Sequence, residues 1–535
     1  MAAIAPPQSR TAPQAQDTRW WRAPPRALKL LGPRGELAAA LLFLSCLSAA
    51  ALLACFYSGH TLDYGDAEAH LNIARRVFDS RTPGWRQIGT FWLPLPHLLI
   101  LPFAQSDRLW RSGLAGAIPS ALCFVFSGLM LFAAARRLLG GASAAAAALL
   151  TFALNPNLLY LQSIPMTEPM FFACVCALFY FAVRYCDTHA WRDVAAAGLC
   201  SCLASLARYE GWFLIPFASA YFLLAGGRAR WKIALVFGAI ASSGPLLWLF
   251  HNWWFWGDAL EFYRGQYSAH STYRRALASG AAPYQGDHSV RLAWLYYRSA
   301  AELCLGWPLI LLGAAGTLCI FFRRELRALL LLLPAPLFYV WTLYSGGIPI
   351  FVPQLWPHAA YNTRYGLAAL PFLALAVGAL IARAPARLQR SAAALAVLAV
   401  MAPWLGSAGP SASICWTEAQ ASSIARRAST ADAAAFLRAH YQPGDGILMS
   451  FGDLTGVLRE AGIPLREALI QDNGGYWQAE IAGQTARIPE AWALTAAGDR
   501  VAEAVHSPSL AGAGFHCLDT VHERGAPTVQ IYRHN

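Results

Sequence analysis

Residues 36–57 read ELAAALLFLSCLSAAALLACFY, twenty-two positions whose single charge, Glu36, stands at the very start. A helix needs about 20 apolar residues to cross a hydrocarbon layer about 30 Å thick, and this stretch supplies them. Further stretches of the same kind follow at 112–135, 142–161, 168–184, 193–208, 211–226, 231–252, 299–322, 326–345, 365–383 and 391–407. The 535-residue chain is 57% hydrophobic and 13% charged, about half the charge of an ordinary soluble protein. Eleven such stretches define a polytopic α-helical membrane protein. A soluble single-domain enzyme, a disordered chain and a secreted disulfide scaffold are excluded.

Working outward, the polar segments orient the spans. The net charge of +12 comes almost wholly from arginine, since only Lys29 and Lys232 are lysines. Its clusters lie between hydrophobic stretches: Arg136–Arg137, Arg228/Arg230/Lys232, Arg323/Arg324/Arg327 and Arg383/Arg387/Arg390, preceded by a basic segment, 1–35. With the N-terminus cytoplasmic, every cluster falls inside, which is the positive-inside pattern of a plasma membrane protein and not a nucleic-acid surface. The first span reads as an uncleaved signal anchor, and an odd count places the C-terminus outside.

The outer side carries the long loops. Residues 58–111 hold Asp63, Asp66, Glu68 and His70; residues 253–298 are rich in Tyr, Trp and Arg, Tyr267 among them; and 346–364 place Pro349, Pro353 and Pro357 at four-residue spacing, against a regular helix. The membrane domain is assigned to 36–410. Segment 411–535 returns to soluble composition and reads as a small extracytoplasmic α/β domain. It has a helix over 430–440 capped by Thr430, a short strand at 447–451, a helix from a cap at Asp453 to Glu460 stopped by Gly462, and a hairpin of 515–521 with 528–532. Cys415 and Cys517, both in this domain, are the one pair among twelve cysteines placed to form a disulfide.

The densest polar constellation is Asp63-Tyr64-Gly65-Asp66-Ala67-Glu68-Ala69-His70, just past the first span. From Ala67 to Phe78 the pattern is amphipathic, with Leu71, Ala74, Val77 and Phe78 on one face, which predicts an interfacial helix with Asp66 at its N-cap. Capping alone also accounts for Asp66, and solvation for Glu68. Met166-Thr167-Glu168-Pro169 opens the span at 168–184, where Thr167 as cap and Pro169 in the first turn is an alternative to a ligand role for Glu168. Arg208-Tyr209-Glu210 forms a short outer turn, and Tyr361-Asn362-Thr363-Arg364-Tyr365 opens the span at 365–383. An arginine there matches phosphate oxygens with two parallel bonds, or anchors the interface. Arg264, Arg274 and Arg275 are weaker candidates, and His97 a weaker one still. Neither the histidines nor the cysteines show metal spacing, and no nucleotide-binding or serine-elbow motif occurs.

Gly65-Asp66-Ala67-Glu68 after a first span, with Thr167-Glu168-Pro169 and the Arg364-Tyr365…Pro371 run, resembles the membrane C-type glycosyltransferases, such as protein O-mannosyltransferases and the aminoarabinose transferase of lipid A. The resemblance implies a sugar moved from a polyprenyl-phosphate donor to an extracytoplasmic acceptor, a protein, lipid or glycan, with inversion. It implies an acidic base in the first outer loop, which in this sequence falls to Asp66 or Glu68 because Ala67 interrupts the usual pair; Asp66 is preferred. Glu68 and Glu168 become sugar or acceptor contacts, Arg364 a phosphate clamp, and Asp63, His70, Arg208 and Tyr365 further substrate-binding residues. No cofactor and no metal are assigned, and the partners are the lipid-linked sugar and the bilayer, with no nucleic acid. A lipid transporter or flippase, or a non-catalytic assembly protein working through 411–535, is the alternative. The absence of an internal repeat and the placement of charge at outer ends weigh against transport.

Overall fold

The computed structural model describes residues 32–266, 268–406, 413–452, 454–482, 484, 490–507 and 514–534. Residues 1–31 of the basic N-terminal segment, Tyr267 and the expected cap Asp453 lie outside the described residues. Each hydrophobic stretch read from the sequence is helical over at least part of its length, but the helices are unequal. Among the described residues five are long and apolar enough to cross a bilayer: Arg34–Tyr57, Leu114–Leu139, Glu168–Thr188, Gly227–Trp256 and Thr363–Arg383.

Three expected spans are broken, each at an identifiable residue. The stretch 142–161 ends its first helix at Ala153 and restarts at Pro156, where the Asn155 side chain accepts the amides of Asn157 (3.0 Å) and Leu158 (3.1 Å). The stretch 299–322 divides at Gly306, whose φ of +75° is open to glycine but strained for other residues, and its two halves meet at 106°. The stretch 326–345 bends by 44° where Pro334 cannot continue the preceding turn. Small residues let the remaining helices approach closely: a methyl group at Gly316 would lie 1.9 Å from the carbonyl oxygen of Ala376.

The first outer loop departs from expectation in an informative way. Its helix spans Gly65–Arg76, with Tyr64 at the N-cap and no side-chain cap, so Asp66 sits in the first turn with its carboxylate free for other partners. Nor does the helix float at an interface. Nine of its twelve residues are buried, including the polar Glu68, His70, Asn72, Arg75 and Arg76. The side expected to face water is covered by the C-terminal domain, where Thr455 accepts a hydrogen bond from Asn72 (3.0 Å).

That domain is a five-stranded sheet in the order β2-β1-β3-β5-β4, formed by β1 (Ile447–Met449), β2 (Ala468–Leu469), β3 (Trp492–Ala496), β4 (Phe515–Val521) and β5 (Val529–His534). β1 pairs in parallel with β2 and β3, while β3, β5 and β4 are antiparallel, with β4 and β5 as the expected hairpin. The helix read over 430–440 is much longer. It runs Ile414–His440, capped by Ser413, whose hydroxyl accepts the Trp416 amide (3.3 Å), and Thr430 is an interior position. Its first half packs Cys415, Trp416 and Ala419 into the membrane-domain core. Its second half packs Ala433, Ala434 and Leu437 under the sheet beside Ile447 and Trp492. A helix serving two cores has no single apolar stripe, which is why the sequence shows a helical pattern only over 430–440. The shorter helix Thr455–Ala461 does stop at Gly462, in the left-handed region. Cys415 and Cys517 are both free thiols, the first fully buried against the membrane domain and the second exposed on β4, so they form no disulfide.

Replacing Gly316 by Val should abolish this helix contact, because the backbone of Ala376 cannot move aside; overpacking of this kind costs about 1–3 kcal/mol or more. Fluorescence-detected size exclusion should show most of the variant aggregated, whereas Gly32→Val, at an extended backbone position with open space, should migrate as the parent.

Candidate active site

Asp66 enters a cavity of about 350 Å³ at one end of the membrane helices. One wall is polar, made by Asp66, His70, Thr167, Arg208, Glu210 and Arg364; the other is apolar and aromatic, with Phe91, Phe262, Phe338 and Trp341. Tyr263 and His270, stacked at 4.6 Å between ring centres, close one side from the second outer loop.

Two buried arginines organise the polar wall. Arg364 stands on the 3-10 turn Thr363–Ala369 that leads into a long membrane helix, after Asn362 in the left-handed region. Its Nε donates to Glu168 Oε1 (3.1 Å), Nη1 to Glu418 Oε1 (3.5 Å) and Nη2 to Asp66. Arg208, where the backbone is extended between two helices, donates from Nε to Glu210 Oε1 (2.8 Å). Its Nη1 reaches Glu168 Oε1 (2.9 Å) and Thr167 Oγ1 (2.5 Å), and its Nη2 the Tyr339 hydroxyl (2.7 Å). Thr167 does precede Glu168–Thr188, but its hydroxyl serves Arg208 and not the helix end. Glu168 Oε1 thus bridges both guanidinium groups, while Oε2 is buried with no partner among the described residues. Tyr365 lies under both arginines, 5.1 and 5.2 Å from its ring centre, and stacks on Tyr339 at 4.5 Å.

Four carboxyl groups therefore surround two guanidinium groups, and exposure separates them. The side chains of Glu168, Glu210 and Glu418 are 5% exposed or less, whereas that of Asp66 is 39% exposed. Asp66 is the most exposed of the four carboxylates and lines the cavity.

The other expected residues are placed differently. His70 lines the cavity and its Nδ1 meets His97 Nε2 at 3.0 Å. Burial, helped by the positive charges of Arg208 and Arg364, pushes its pKa down to about 3. The imidazole is neutral at physiological pH, fit to hydrogen-bond but not to carry charge. Burial drives His97 the same way. Glu68 and Asp63, expected among the substrate-binding carboxylates, lie outside the cavity lining. Glu68 accepts from Arg426 (2.6 Å) and Arg459 (3.0 Å) against the backbone of Gly456. Asp63 is bonded by Arg427 (2.7 Å) and His60 (2.7 Å). All three arginines belong to the C-terminal domain, so these carboxylates fasten it to the loop. Among the weaker candidates, Arg264 pairs at most with Asp258 (3.7 Å), and Arg275 with Thr272 (3.3 Å).

Glu418 and Tyr339 are absent from the sequence reading. Glu418 Oε1 accepts the Asn362 amide (2.9 Å), while Oε2 accepts the Thr363 amide (2.9 Å) and hydroxyl (2.5 Å), fixing the turn that carries Arg364. In the sequence it is one glutamate in a mixed stretch, with no motif around it. Among the described residues no group of three or more His, Cys, Asp or Glu side chains is placed to hold a metal ion.

Residues 109–256 match the family described as dolichyl-phosphate-mannose-protein mannosyltransferase. No curated protein matches the chain in sequence. Among solved structures, ArnT from Cupriavidus metallidurans bound to undecaprenyl phosphate superposes with a TM-score of 0.58 at 14% identity, over 91% of this chain and 97% of that one. The Archaeoglobus fulgidus oligosaccharyltransferase does so with a TM-score of 0.50 at 12% identity, over 92% and 73%. The chain is a multi-pass membrane protein with the C-type glycosyltransferase fold. The family match is confined to residues 109–256; over the rest of the chain the likeness is one of fold, to which a small C-terminal sheet domain belongs.

Two outcomes follow from this geometry. Glu418→Ala leaves two buried amides without an acceptor, at a cost of about 1–3 kcal/mol each, so thermal unfolding should shift down clearly, and less for Glu418→Gln. Because His70 takes up its proton near 3 when folded but near 6.5 when unfolded, stability should fall as pH drops from about 7 to 5. The unfolding temperature should show this slope, reduced in His70→Asn.

Proposed function

We propose that this protein transfers a sugar from a polyprenyl-phosphate donor to an acceptor hydroxyl on the outer face of a bacterial plasma membrane, the N-terminus lying in the cytoplasm and the C-terminal domain outside. The carrying observation is the half-exposed Asp66 held against the buried Arg364 at a cavity with one charged and one aromatic wall. The undecaprenyl phosphate of the similarly folded ArnT structure supports the lipid class. The aromatic wall suits an isoprenoid chain, and the arginine wall its phosphate.

In this reading the acceptor hydroxyl gives its proton to the Asp66 carboxylate as its oxygen attacks the anomeric carbon. The bond from that carbon to the phosphate oxygen breaks, its electron pair stays on the phosphate, and configuration inverts. The departing phosphate gains negative charge, which Arg364 and Arg208 stabilise from fixed positions. Before donor binds, Asp66 itself occupies Arg364 Nη2. A phosphate seated on that guanidinium competes with Asp66, loosens it and leaves its oxygens to the acceptor. Glu168, behind the cavity lining, acts through the two arginines that its Oε1 holds in place. Glu68 and Asp63 act indirectly, by holding the loop.

Purified protein in lipid nanodiscs, assayed with radiolabelled polyprenyl-phosphate sugars, should release free polyprenyl phosphate. Asp66→Asn should lower kcat by about 10²–10⁴ while leaving donor binding in place. A folded Asp66→Asn protein with full turnover overturns the assignment of the base.

A further inference from the structure

Cys517, on the exposed strand β4, is no partner for the buried Cys415, but another cysteine is. Cys304 lies at the end of the helix Val290–Leu305, just before the break at Gly306. It is fully buried, as is Cys415 in the first turn of Ile414–His440. Asn157 ties the two backbones together: its Nδ2 donates to the Cys304 carbonyl (3.0 Å), and its Oδ1 accepts the Cys415 amide (3.0 Å). The two thiols lie against each other. The Cys304 thiol also donates to the carbonyl of Thr363 (3.0 Å), in the turn whose Asn362 and Thr363 amides Glu418 holds.

Two sulfurs that meet across two elements can share a metal ion, form a bond, or stay as packed thiols. Structural thiolate metal sites take four ligands, and among the described residues no group of three or more His, Cys, Asp or Glu is placed to hold a metal ion. Between the other two the compartment decides. Thiols are kept reduced in the cytosol, whereas outside a plasma membrane thiols held together are oxidised.

We propose that Cys304 and Cys415 form a disulfide in the mature protein, a covalent staple between the membrane domain and the long helix of the C-terminal domain. The proposal rests on the outer location proposed above for that domain. The bond forms by exchange with a disulfide-bearing oxidant. The Cys415 sulfur displaces one oxidant sulfur and the Cys304 sulfur displaces the other. Two protons and two electrons leave the pair, and the oxidant becomes a dithiol. Because both sulfurs are buried in the folded protein, the exchange precedes docking of the helix, and docking then shields the bond from reductants. Glu418 follows Cys415 on the same helix, so the staple fixes the carboxylate that holds the turn of Arg364.

Cells lysed directly into denaturant with a mass-tagged maleimide, without reductant, test it. The parent protein should carry two tags fewer than its twelve cysteines, and its digest should contain a peptide pair joining Cys304 to Cys415. In Cys304→Ser and in Cys415→Ser every remaining cysteine should take a tag. Each variant should unfold several degrees below the parent, because the bond closes a long loop, and the double variant should unfold no lower than either. Full tagging of the parent, or a digest that joins other cysteines, overturns the proposal. A membrane-impermeant maleimide applied to spheroplasts then separates the two causes, because the exposed Cys517 reports the side on which the C-terminal domain lies. If Cys517 is labelled, the pairing is wrong and the outer location stands; if it is not, the outer location is wrong.

Discussion

Three carboxylates, from positions 66, 168 and 418, converge on the guanidinium of Arg364. Burying an arginine among apolar and aromatic side chains is costly unless its donors are met in the right plane. Here each acceptor is carried by a different part of the chain: the first outer loop, the mouth of a membrane helix, and the long helix of the C-terminal domain. The charge can be buried only when all three have docked. Arg208 extends the network through the shared Glu168 oxygen, so its neighbours Glu210 and Tyr339 belong to the same unit.

The C-terminal domain is therefore structurally part of the candidate site. Its long helix supplies Glu418 to the turn before Arg364 and, two turns further along, Arg426 and Arg427 to the loop carboxylates Glu68 and Asp63. This explains why a loop helix with five polar residues on its covered faces is stable. Asn72, Arg75 and Arg76 exchange water for partners, with Arg76 bonded to Asp472 at 2.5 Å and Arg75 to Asp79 at 2.8 Å.

Much of the fold was legible because bilayer thickness imposes a length on apolar runs. The β4–β5 hairpin was legible from its turn residues, and the neighbourhood of Asp66, Glu168, Arg208 and Arg364 from charges stranded at span ends. What could not be read is what depends on tertiary docking. Nothing along the chain distinguishes Asp66, which keeps an open face, from Glu68 two residues later, which turns to the other domain. Glu418 carries no local signal because its partners lie more than fifty residues away. The breaks at Asn155, Gly306 and Pro334 sit inside hydrophobic runs, where hydropathy is blind to backbone direction.

The helix Ile414–His440 has a mechanical consequence. At 27 residues it is a rod about 40 Å long, with one end seated in the membrane core and the other under the sheet. A rigid rod of this kind transmits displacement without absorbing it. Tilting the sheet domain away from the membrane would drag Glu418 out from under the turn and unseat the arginine above it. A hinge between the two bodies is thus incompatible with an intact polar wall. The short helix Ala269–Ala278, with none of its residues buried, borders the same cavity through Ala269 and His270 and has no part in that coupling.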